Sequence, residues 1–240
     1  MARTVVISQP MLLPWLGMFE QVAMADEFVH YDDVHFSKGS FSNRVQLKTV
    51  GGSIWLTAPL DRGRCGETIA DTWMRPAAEW RPQHLRSISQ ALARAPHARE
   101  AVGLAEELYA LPTDNLADFN MACMERIAGW LGLGTAFRRS SGMGIPGASS
   151  QRVLDVCRAL GATRYVTGHG AASYLDHAAF DAAGVEVRYM DYALRPYPQL
   201  HGTFTPYVTI LDAIACCGRD ARQLMASGTV NWSDHVGRPR

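Results

Sequence analysis

The sequence has no run of basic residues and no excess of either charge. Its 240 residues include 23 Lys and Arg against 23 Asp and Glu, so the net charge is zero. Because the chain also lacks a basic tail and an aromatic RNA-binding motif, we do not expect broad nucleic-acid binding by phosphate neutralisation. It contains no apolar run of the ~18 residues that a membrane-spanning helix needs, and its first residues do not resemble a signal peptide. We therefore expect a cytoplasmic protein with no membrane partner.

Metal-type cysteine spacing and nucleotide-binding fingerprints are also missing. The five cysteines are an odd number without zinc-ligand spacing, and we expect them to be reduced thiols. The Rossmann GxGxxG fingerprint, the Walker motif and the HxGH motif of nucleotidyltransferases are absent. Adenylate-forming chemistry is therefore unsupported, and we expect no resident metal or cofactor.

Apolar segments at both ends of the chain alternate between strand and helix patterns. Residues 4–8 form a β-branched apolar run, residues 15–25 are helix-like after Pro14, and residues 27–32 form a second apolar run. Two strands joined by a helix form a parallel, right-handed β-α-β unit. The same alternation returns after residue 149, which predicts an α/β fold with a mostly parallel central sheet and flanking helices.

The middle of the chain follows a different pattern. Gly51-Gly52 separates two strand-like runs, which predicts an antiparallel hairpin. Residues 77–133 contain three helix-like segments, and we interpret them as a helical insert beside the sheet. We expect one α/β domain over residues 1–227, an exposed loop around Ser140 and Ser141, and a C-terminal tail over residues 228–240.

An ordered set of short motifs resembles the signature of the WbqC-like family. The first part of the set is Gln9-Pro10, Pro14-Trp15-x-Gly17-x-Phe19, Ala25-Asp26-x-Phe28, Asp32-Asp33-x-x-Phe36 and Asn43-Arg44-x-x-x-Lys48. The second part is Tyr165-Val-Thr-Gly168-x-Gly170-Ala171-x-x-Tyr174-Leu175-Asp176, Tyr197-x-Gln199 and Phe204-x-Pro206-x-x-x-Ile210-Leu211-Asp212. The chain departs from the family pattern at Met11 and Met18, where the family has aromatic residues.

The resemblance implies a biosynthetic role. Members of the family occur in bacterial O-antigen and related gene clusters, and transfer of an amino acid, glycine in particular, has been proposed for them. We expect an acyl or aminoacyl transferase that acts on an amine of a sugar or small metabolite, in O-antigen or natural-product biosynthesis. Its partners would be that small substrate and an activated donor, and the neutral net charge does not support a tRNA donor. The alternatives are a non-catalytic nucleotide-sugar or small-molecule binding protein and a metal-dependent hydrolase.

Candidate catalytic residues follow the second predicted strand. On an extended strand alternate residues share a face, so His30 and Asp32 lie together while Tyr31, Asp33 and His35 lie on the other side. Adjacent carboxylates can differ in pKa and serve acid and base roles. We expect Asp32, His30 or Asp33 to deprotonate the substrate amine. A turn cap for Asp33, or a metal on His30 and Asp32, is the alternative.

Candidate binding residues lie at strand ends and on the hairpin. Gln9 follows the first strand at the edge where open parallel sheets bind ligands, and Trp15 opens the next helix. Arg44 and Lys48 share one strand face, which suits a phosphate or carboxylate, although charges can also protect an edge strand. The remaining candidates are Gly168, His169, Gly170, Tyr174 and Asp212. The two glycines allow close backbone approach, His169 is a candidate base, and Asp212 needs a partner because it interrupts an apolar helix.

Overall fold

A computed structural model describes residues 2–236 of the chain. Among these residues the strands are β1 (Thr4–Ser8), β2 (Glu27–His30), β3 (Arg44–Thr49), β4 (Gly52–Thr57), β5 (Ala136–Arg139), β6 (Arg164–Thr167), β7 (Glu186–Asp191) and β8 (Gly228–Asn231). The α-helices are α1 (Leu16–Met24), α2 (Arg81–Leu92), α3 (Ala98–Tyr109), α4 (Leu116–Trp130), α5 (Ser149–Ala159), α6 (His177–Ala182), α7 (Ile210–Cys217) and α8 (Trp232–Val236).

The central sheet has six strands in the order β5-β2-β1-β6-β7-β8. All neighbouring pairs are parallel except β7 and β8, so the predicted α/β fold with a mostly parallel sheet is confirmed. Along the chain, β2 and β5 are added on one side of β1, and β6, β7 and β8 are then added on its other side. The strand order therefore reverses between β1 and β6, and a reversal of this kind opens a crevice at the carboxyl ends of the two strands.

Helices cover both faces of the sheet because the central strands are apolar on both sides. Val6 and Phe28 pack into a large core with α1, the three insert helices and α7. Val5 and Val29 point the opposite way into a smaller core with α5 and α6. This alternation follows from the two-residue repeat of an extended strand, and the near-continuous apolar strands are typical of parallel sheets buried on both faces.

The hairpin forms a separate two-stranded sheet. β3 and β4 pair in an antiparallel register from Arg44 opposite Thr57 to Thr49 opposite Gly52. The predicted antiparallel hairpin is present, but Val50 and Gly51 connect its strands, one residue earlier than Gly51-Gly52. Gly52 is the first residue of β4 and has φ +106°, a backbone conformation that residues with side chains rarely adopt.

The insert and the chain terminus complete the fold. α2, α3 and α4 lie within the predicted helical segment, and Asn115 caps α4 by accepting a hydrogen bond from the Asp118 N–H. Residues 228–231, predicted as part of a tail, instead form β8 and pair with β7. None of the helices in the described part of the chain has the length and apolar character needed to cross a membrane.

Candidate functional site

A cavity of about 740 Å³ lies at the crevice where the strand order reverses. Ser8 and Gln9 enter it from the end of β1, and Thr167 and Gly168 enter it from the end of β6. The lining therefore comes from the two strands that topology places side by side at this edge. Gln9, Trp15, Asp33, Gly168, Gly170 and Tyr174 are the sequence-predicted site residues that the structure brings to this cavity.

Aromatic side chains form much of the cavity wall. Trp15 and Tyr192 have ring centroids 4.9 Å apart, and Tyr31 and Tyr174 also line the cavity. The hydroxyl of Tyr192 accepts a hydrogen bond of 2.9 Å from the Gln21 amide. Burial raises the pKa of Tyr192 well above its ordinary value, so this phenol stays neutral at physiological pH. The wall is thus apolar in its ring faces and polar at a few hydroxyl and amide groups.

The charged wall of the cavity is the ion pair between Asp33 and Arg152. Arg152 lies in the first turn of α5, is almost fully buried, and donates to Asp33 Oδ2 at 2.5 Å. Its Nε donates to the Ile145 carbonyl at 3.0 Å, and its guanidinium lies 5.1 Å from the centroid of the Tyr31 ring. The pair is fixed by these contacts, and Asp33 still reaches the cavity because a quarter of its side chain (26%) is exposed.

Asp32 is fully buried and does not line the cavity. Its carboxylate accepts hydrogen bonds from Arg139 Nε at 2.5 Å, from the Ser141 hydroxyl at 2.8 Å and from the Ser141 N–H at 3.0 Å. Burial acts to raise the pKa of Asp32, but the hydrogen bonds from Ser141 and Arg139 outweigh it and lower the pKa below its ordinary value. Asp32 therefore holds the segment after β5, and its oxygens are occupied by protein donors.

His30 faces the other side of the sheet. Its ring stacks on Phe137 at 5.4 Å and contacts the edge of Phe28 at 5.2 Å, and only 1% of the residue is exposed. Nε2 lies 3.3 Å from Glu125 Oε1, but neither ring nitrogen has a hydrogen bond of acceptable geometry to the described residues. The structure therefore places His30 in the core against α4, away from the cavity.

Arg44, Lys48 and Asp212 lie outside the cavity as well. The Arg44 guanidinium covers the Trp55 ring at 4.3 Å. Lys48 Nζ donates to Gln199 Oε1 at 2.8 Å and to the carbonyls of Gly202 and Thr203 at 3.1 and 2.6 Å.

Asp212 accepts hydrogen bonds from the Tyr197 hydroxyl at 2.7 Å and the Gln199 amide at 2.9 Å. Burial raises the pKa of Asp212. Because Gln199 bonds to both Lys48 and Asp212, the network ties residues 197–205 to β3 and α7.

His169 turns away from the cavity that its neighbouring glycines line. Its Nε2 lies 2.6 Å from the Met190 carbonyl, which can only accept, so Nε2 carries the hydrogen. Gly168 and Gly170 line the cavity without side chains, and Tyr174 lines it as well.

Two important parts of the site were missed by the sequence analysis. Arg152 follows a glycine-rich loop and lies in the first turn of a helix. A cation is electrostatically unfavourable at that end of a helix, and this unusual position could have indicated a functional residue. Ser140 and Ser141 were expected in an exposed loop. Ser140 is instead 1% exposed and bonds to Asp32 and Asp33. No local pattern marks that contact.

Metal-ligand side chains are dispersed over the described residues. Residues 2–236 contain no group of three or more His, Cys, Asp or Glu placed to hold a metal ion. His30 and Asp32, which were considered as a ligand pair, contact different partners, Glu125 for the first and Arg139 for the second.

Fold and site define an α/β protein with a ligand-sized crevice at the reversal point of a parallel sheet. The model of the WbqC-like protein family matches residues 9–224. The chain is also 32% identical over 222 residues to the uncharacterized protein Rv1507c of Mycobacterium tuberculosis (strain ATCC 25618 / H37Rv). The aligned residues cover 91% of this chain and 96% of that protein. No solved structure matches the chain. The chain therefore belongs to the WbqC-like family, as the motif resemblance predicted.

Proposed function

We propose that the protein transfers an acyl or aminoacyl group, glycyl in particular, from an activated donor to an amine of a sugar or small metabolite, in O-antigen or natural-product biosynthesis. The observation that carries the proposal is the Asp33–Arg152 pair on the wall of the 740 Å³ cavity. A cavity of this volume lies within the range of about 300–1,000 Å³ that small-molecule sites occupy.

Asp33 is suited to the acceptor amine. It is the only carboxylate among the described residues that line the cavity, and an amine enters at neutral pH as an ammonium ion, which a carboxylate binds. The nitrogen must lose a proton before its lone pair can attack the acyl carbonyl. In the proposed step one proton moves to Asp33 and the C–N bond forms. The donor's leaving group departs with the electron pair of the broken acyl bond and takes up the second proton that the nitrogen loses on becoming an amide.

Arg152, rather than Arg44 or Lys48, is the cation of the cavity wall, and its role is to orient Asp33. Those two cations are engaged by Trp55 and by loop carbonyls, whereas Arg152 lies on the cavity wall and orients Asp33. Asp33 is therefore held in one position before a substrate arrives, which reduces the entropy lost on reaching the reactive geometry.

The remaining lining suits a hydroxylated substrate with an apolar face. The rings of Trp15 and Tyr192, tilted 53° to each other, each offer an aromatic face to the C–H face of a sugar. Gln9 offers an amide that makes no hydrogen bond to the described residues. Gly168 and Gly170 allow the backbone to approach a reacting carbonyl, and backbone N–H groups in this turn would stabilise its developing negative charge.

A second candidate is a non-catalytic nucleotide-sugar or small-molecule binding protein. It is favoured by one observation: neither Ser8 nor Ser149, the serines that line the cavity, is hydrogen-bonded to a histidine or carboxylate among the described residues. Neither serine is therefore an activated nucleophile, although direct attack by the substrate amine needs none.

The test is a transfer assay read by mass spectrometry. Aminoacyl-tRNA, aminoacyl thioester and acyl phosphate donors are each combined with amino sugars, using wild type, Asp33→Asn and Asp220→Asn. Asp220 is exposed and bonds only to Gln223 among the described residues, so it is the matched control. We expect product from wild type and Asp220→Asn, and a loss of about 10²–10⁴ in kcat for Asp33→Asn.

The outcomes separate the two candidates. Circular dichroism first establishes that Asp33→Asn is folded. Thermal stabilisation by an amino sugar or nucleotide sugar without product from any donor would establish the binding protein instead. Full turnover by folded Asp33→Asn would overturn the role of Asp33.

A further inference from the structure

Ser140 Oγ lies between the two adjacent carboxylates that follow β2. It is 2.6 Å from Asp33 Oδ1 and 3.0 Å from Asp32 Oδ1, and it accepts a hydrogen bond of 3.2 Å from the Asp32 N–H. Ser140 is 1% exposed, so it has little access to bulk water. One hydroxyl therefore links the carboxylate on the cavity wall to the carboxylate buried behind it.

The number of hydrogens limits what this hydroxyl can do. A serine hydroxyl donates one hydrogen and accepts with two lone pairs. The Asp32 N–H occupies one lone pair, and the single hydrogen serves one of the two carboxylates. While both carboxylates are ionised, the remaining lone pair faces a second negative oxygen and makes no hydrogen bond with it.

Adding one proton to Asp33 completes a chain of hydrogen bonds from Asp33 through Ser140 to Asp32. Protonated Asp33 donates from Oδ1 to Ser140 Oγ, and Ser140 then donates its own hydrogen to Asp32 Oδ1. The 2.6 and 3.0 Å separations both lie in the O–H···O range. The proton stays on Asp33, the Ser140 hydrogen changes direction, and no charge is transferred to Asp32.

We propose that Ser140 is the positioning residue that allows Asp33 to take up and release a proton, by turning its single hydrogen from Asp33 towards Asp32. This role rests on the proposed function of Asp33 as the acceptor of the amine proton. Asp33 loses no hydrogen-bond partner on protonation, because Ser140 donates to the ionised carboxylate and accepts from the protonated one.

The surrounding charges suit this division of roles. Asp32 is held as a carboxylate by Arg139 and by Ser141, and Arg139 is in turn paired with Asp118. Asp33 faces Arg152, and its carboxyl group interacts electrostatically with Tyr31. His35 is the other titratable residue of this segment that lines the cavity. Asp32 is therefore the fixed acceptor, and Asp33 is the partly exposed group that exchanges its proton with a substrate.

The test is a pH titration followed by NMR of protein labelled with ¹³C at the aspartate carboxyl carbons. In wild type, we expect the Asp32 signal to shift at the same pH at which Asp33 takes up its proton. The Asp33→Asn variant shows whether the change in the Asp32 signal comes from Asp33, because the variant removes that carboxyl group. This measurement needs no substrate, so its failure is distinguishable from failure of the transferase proposal.

Three variants isolate the hydroxyl. Ser140→Ala should still show titration of Asp33 but lose the coupled shift of Asp32, whereas Ser140→Thr should keep the coupled shift. Ser141→Ala is the matched control, since Ser141 contacts Asp32 and Arg139 without bonding to Asp33, and its coupled shift should persist. A coupled shift that persists in Ser140→Ala would show electrostatic coupling without the hydroxyl and would overturn the proposal.

Neutron diffraction on deuterium-exchanged wild-type crystals covers the case in which Ser140→Ala does not fold. We expect the Ser140 deuteron to point to Asp33 at neutral pH and to Asp32 in acid. A single orientation at both pH values would overturn the proposal. In the transfer assay, Ser140→Ala should lower kcat and leave KM unchanged, and Ser140→Thr should restore kcat.

Discussion

The indole ring of Trp15 lies directly over Gly17, so the position of the ring depends on the absence of a side chain at residue 17. A Cβ built on residue 17 would lie 2.2 Å from Trp15 Cη2 and 2.4 Å from Cζ3, closer than any real contact. The missing side chain allows Trp15 to fold back over the first turn of α1, between Tyr192 at 4.9 Å and Tyr207 at 5.1 Å. The aromatic wall of the cavity therefore depends on a glycine outside it.

Gly17→Ala should displace Trp15 and destabilise the protein. The steric conflict costs about 1–3 kcal/mol, which outweighs the gain of up to about 1 kcal/mol in helix propensity. Gly103→Ala in α3 is the control, because a Cβ there meets nothing within 4 Å and should stabilise by about 0.5–1 kcal/mol. Urea unfolding measures both. Equal stabilisation by the two variants would mean that Trp15 moves freely.

Lys48→Met should destabilise the fold without a direct effect on the cavity. It removes three hydrogen bonds from a buried ammonium to Gln199, Gly202 and Thr203, and leaves their oxygens without these donors. We expect a loss of about 2–4 kcal/mol in the free energy of unfolding, against about 0.5 kcal/mol or less for exposed Lys38→Met. Unchanged stability together with lost ligand binding would instead assign Lys48 to binding.

Asp32→Asn and Asp212→Asn should show opposite pH dependence. The folded pKa of Asp32 lies below its ordinary value of 3.8, because the Ser141 and Arg139 hydrogen bonds outweigh burial. Its stabilising contribution is therefore present above pH 3.8 and is lost as pH falls through the folded pKa. The penalty of Asp32→Asn should be largest at neutral pH and narrow in acid.

Burial raises the folded pKa of Asp212, so the pH dependence of its contribution to stability is opposite to that of Asp32. Its contribution is full below pH 3.8 and is lost as pH rises through the folded pKa. The penalty of Asp212→Asn should thus be smallest at neutral pH and grow in acid. Urea unfolding from acid to neutral pH tests both variants, and parallel pH curves for the two would contradict the assigned environments.

His30→Phe should be tolerated. The imidazole is buried between aromatic rings and its nitrogens make no hydrogen bond within the described residues, so a phenyl ring replaces its packing. We expect a change of no more than about 1.5 kcal/mol in the free energy of unfolding and unchanged transfer activity. If turnover were lost while the unfolding curve stayed the same, His30 would have a chemical role that its position does not suggest.

Tyr31, Asp33 and His35 were predicted to share one side of an extended strand, and all three line the cavity, but not as alternate strand positions. β2 ends at His30, and Val34, which lies between two of them, lines the cavity as well. Asp32 was placed first among the catalytic candidates, yet it lies on the opposite side, bonded to Arg139. Two-residue alternation is a local property of an extended chain, whereas the side that remains open depends on which helices cover the sheet.

By itself, the sequence determined most of the helices and strands, although not β8, which forms where a tail was expected. The apolar run of β1, the hairpin at Gly51 and Gly52 and the Asn115 cap each depend on backbone preferences of a few neighbouring residues. The position of Gln9 and Gly168 at one sheet edge also followed, because the carboxyl ends of parallel strands share that edge.

Only the tertiary structure decided the partners of the charged residues. Asp33 is 119 residues from Arg152 and 107 from Ser140 along the chain, and Lys48 is 151 residues from Gln199. Such contacts arise after the sheet order and the loop paths are fixed, and each is favoured because a buried charge without a partner is costly. Local sequence rules do not extend over these separations, so the roles of Asp33, Ser140 and Arg152 emerge only in the folded chain.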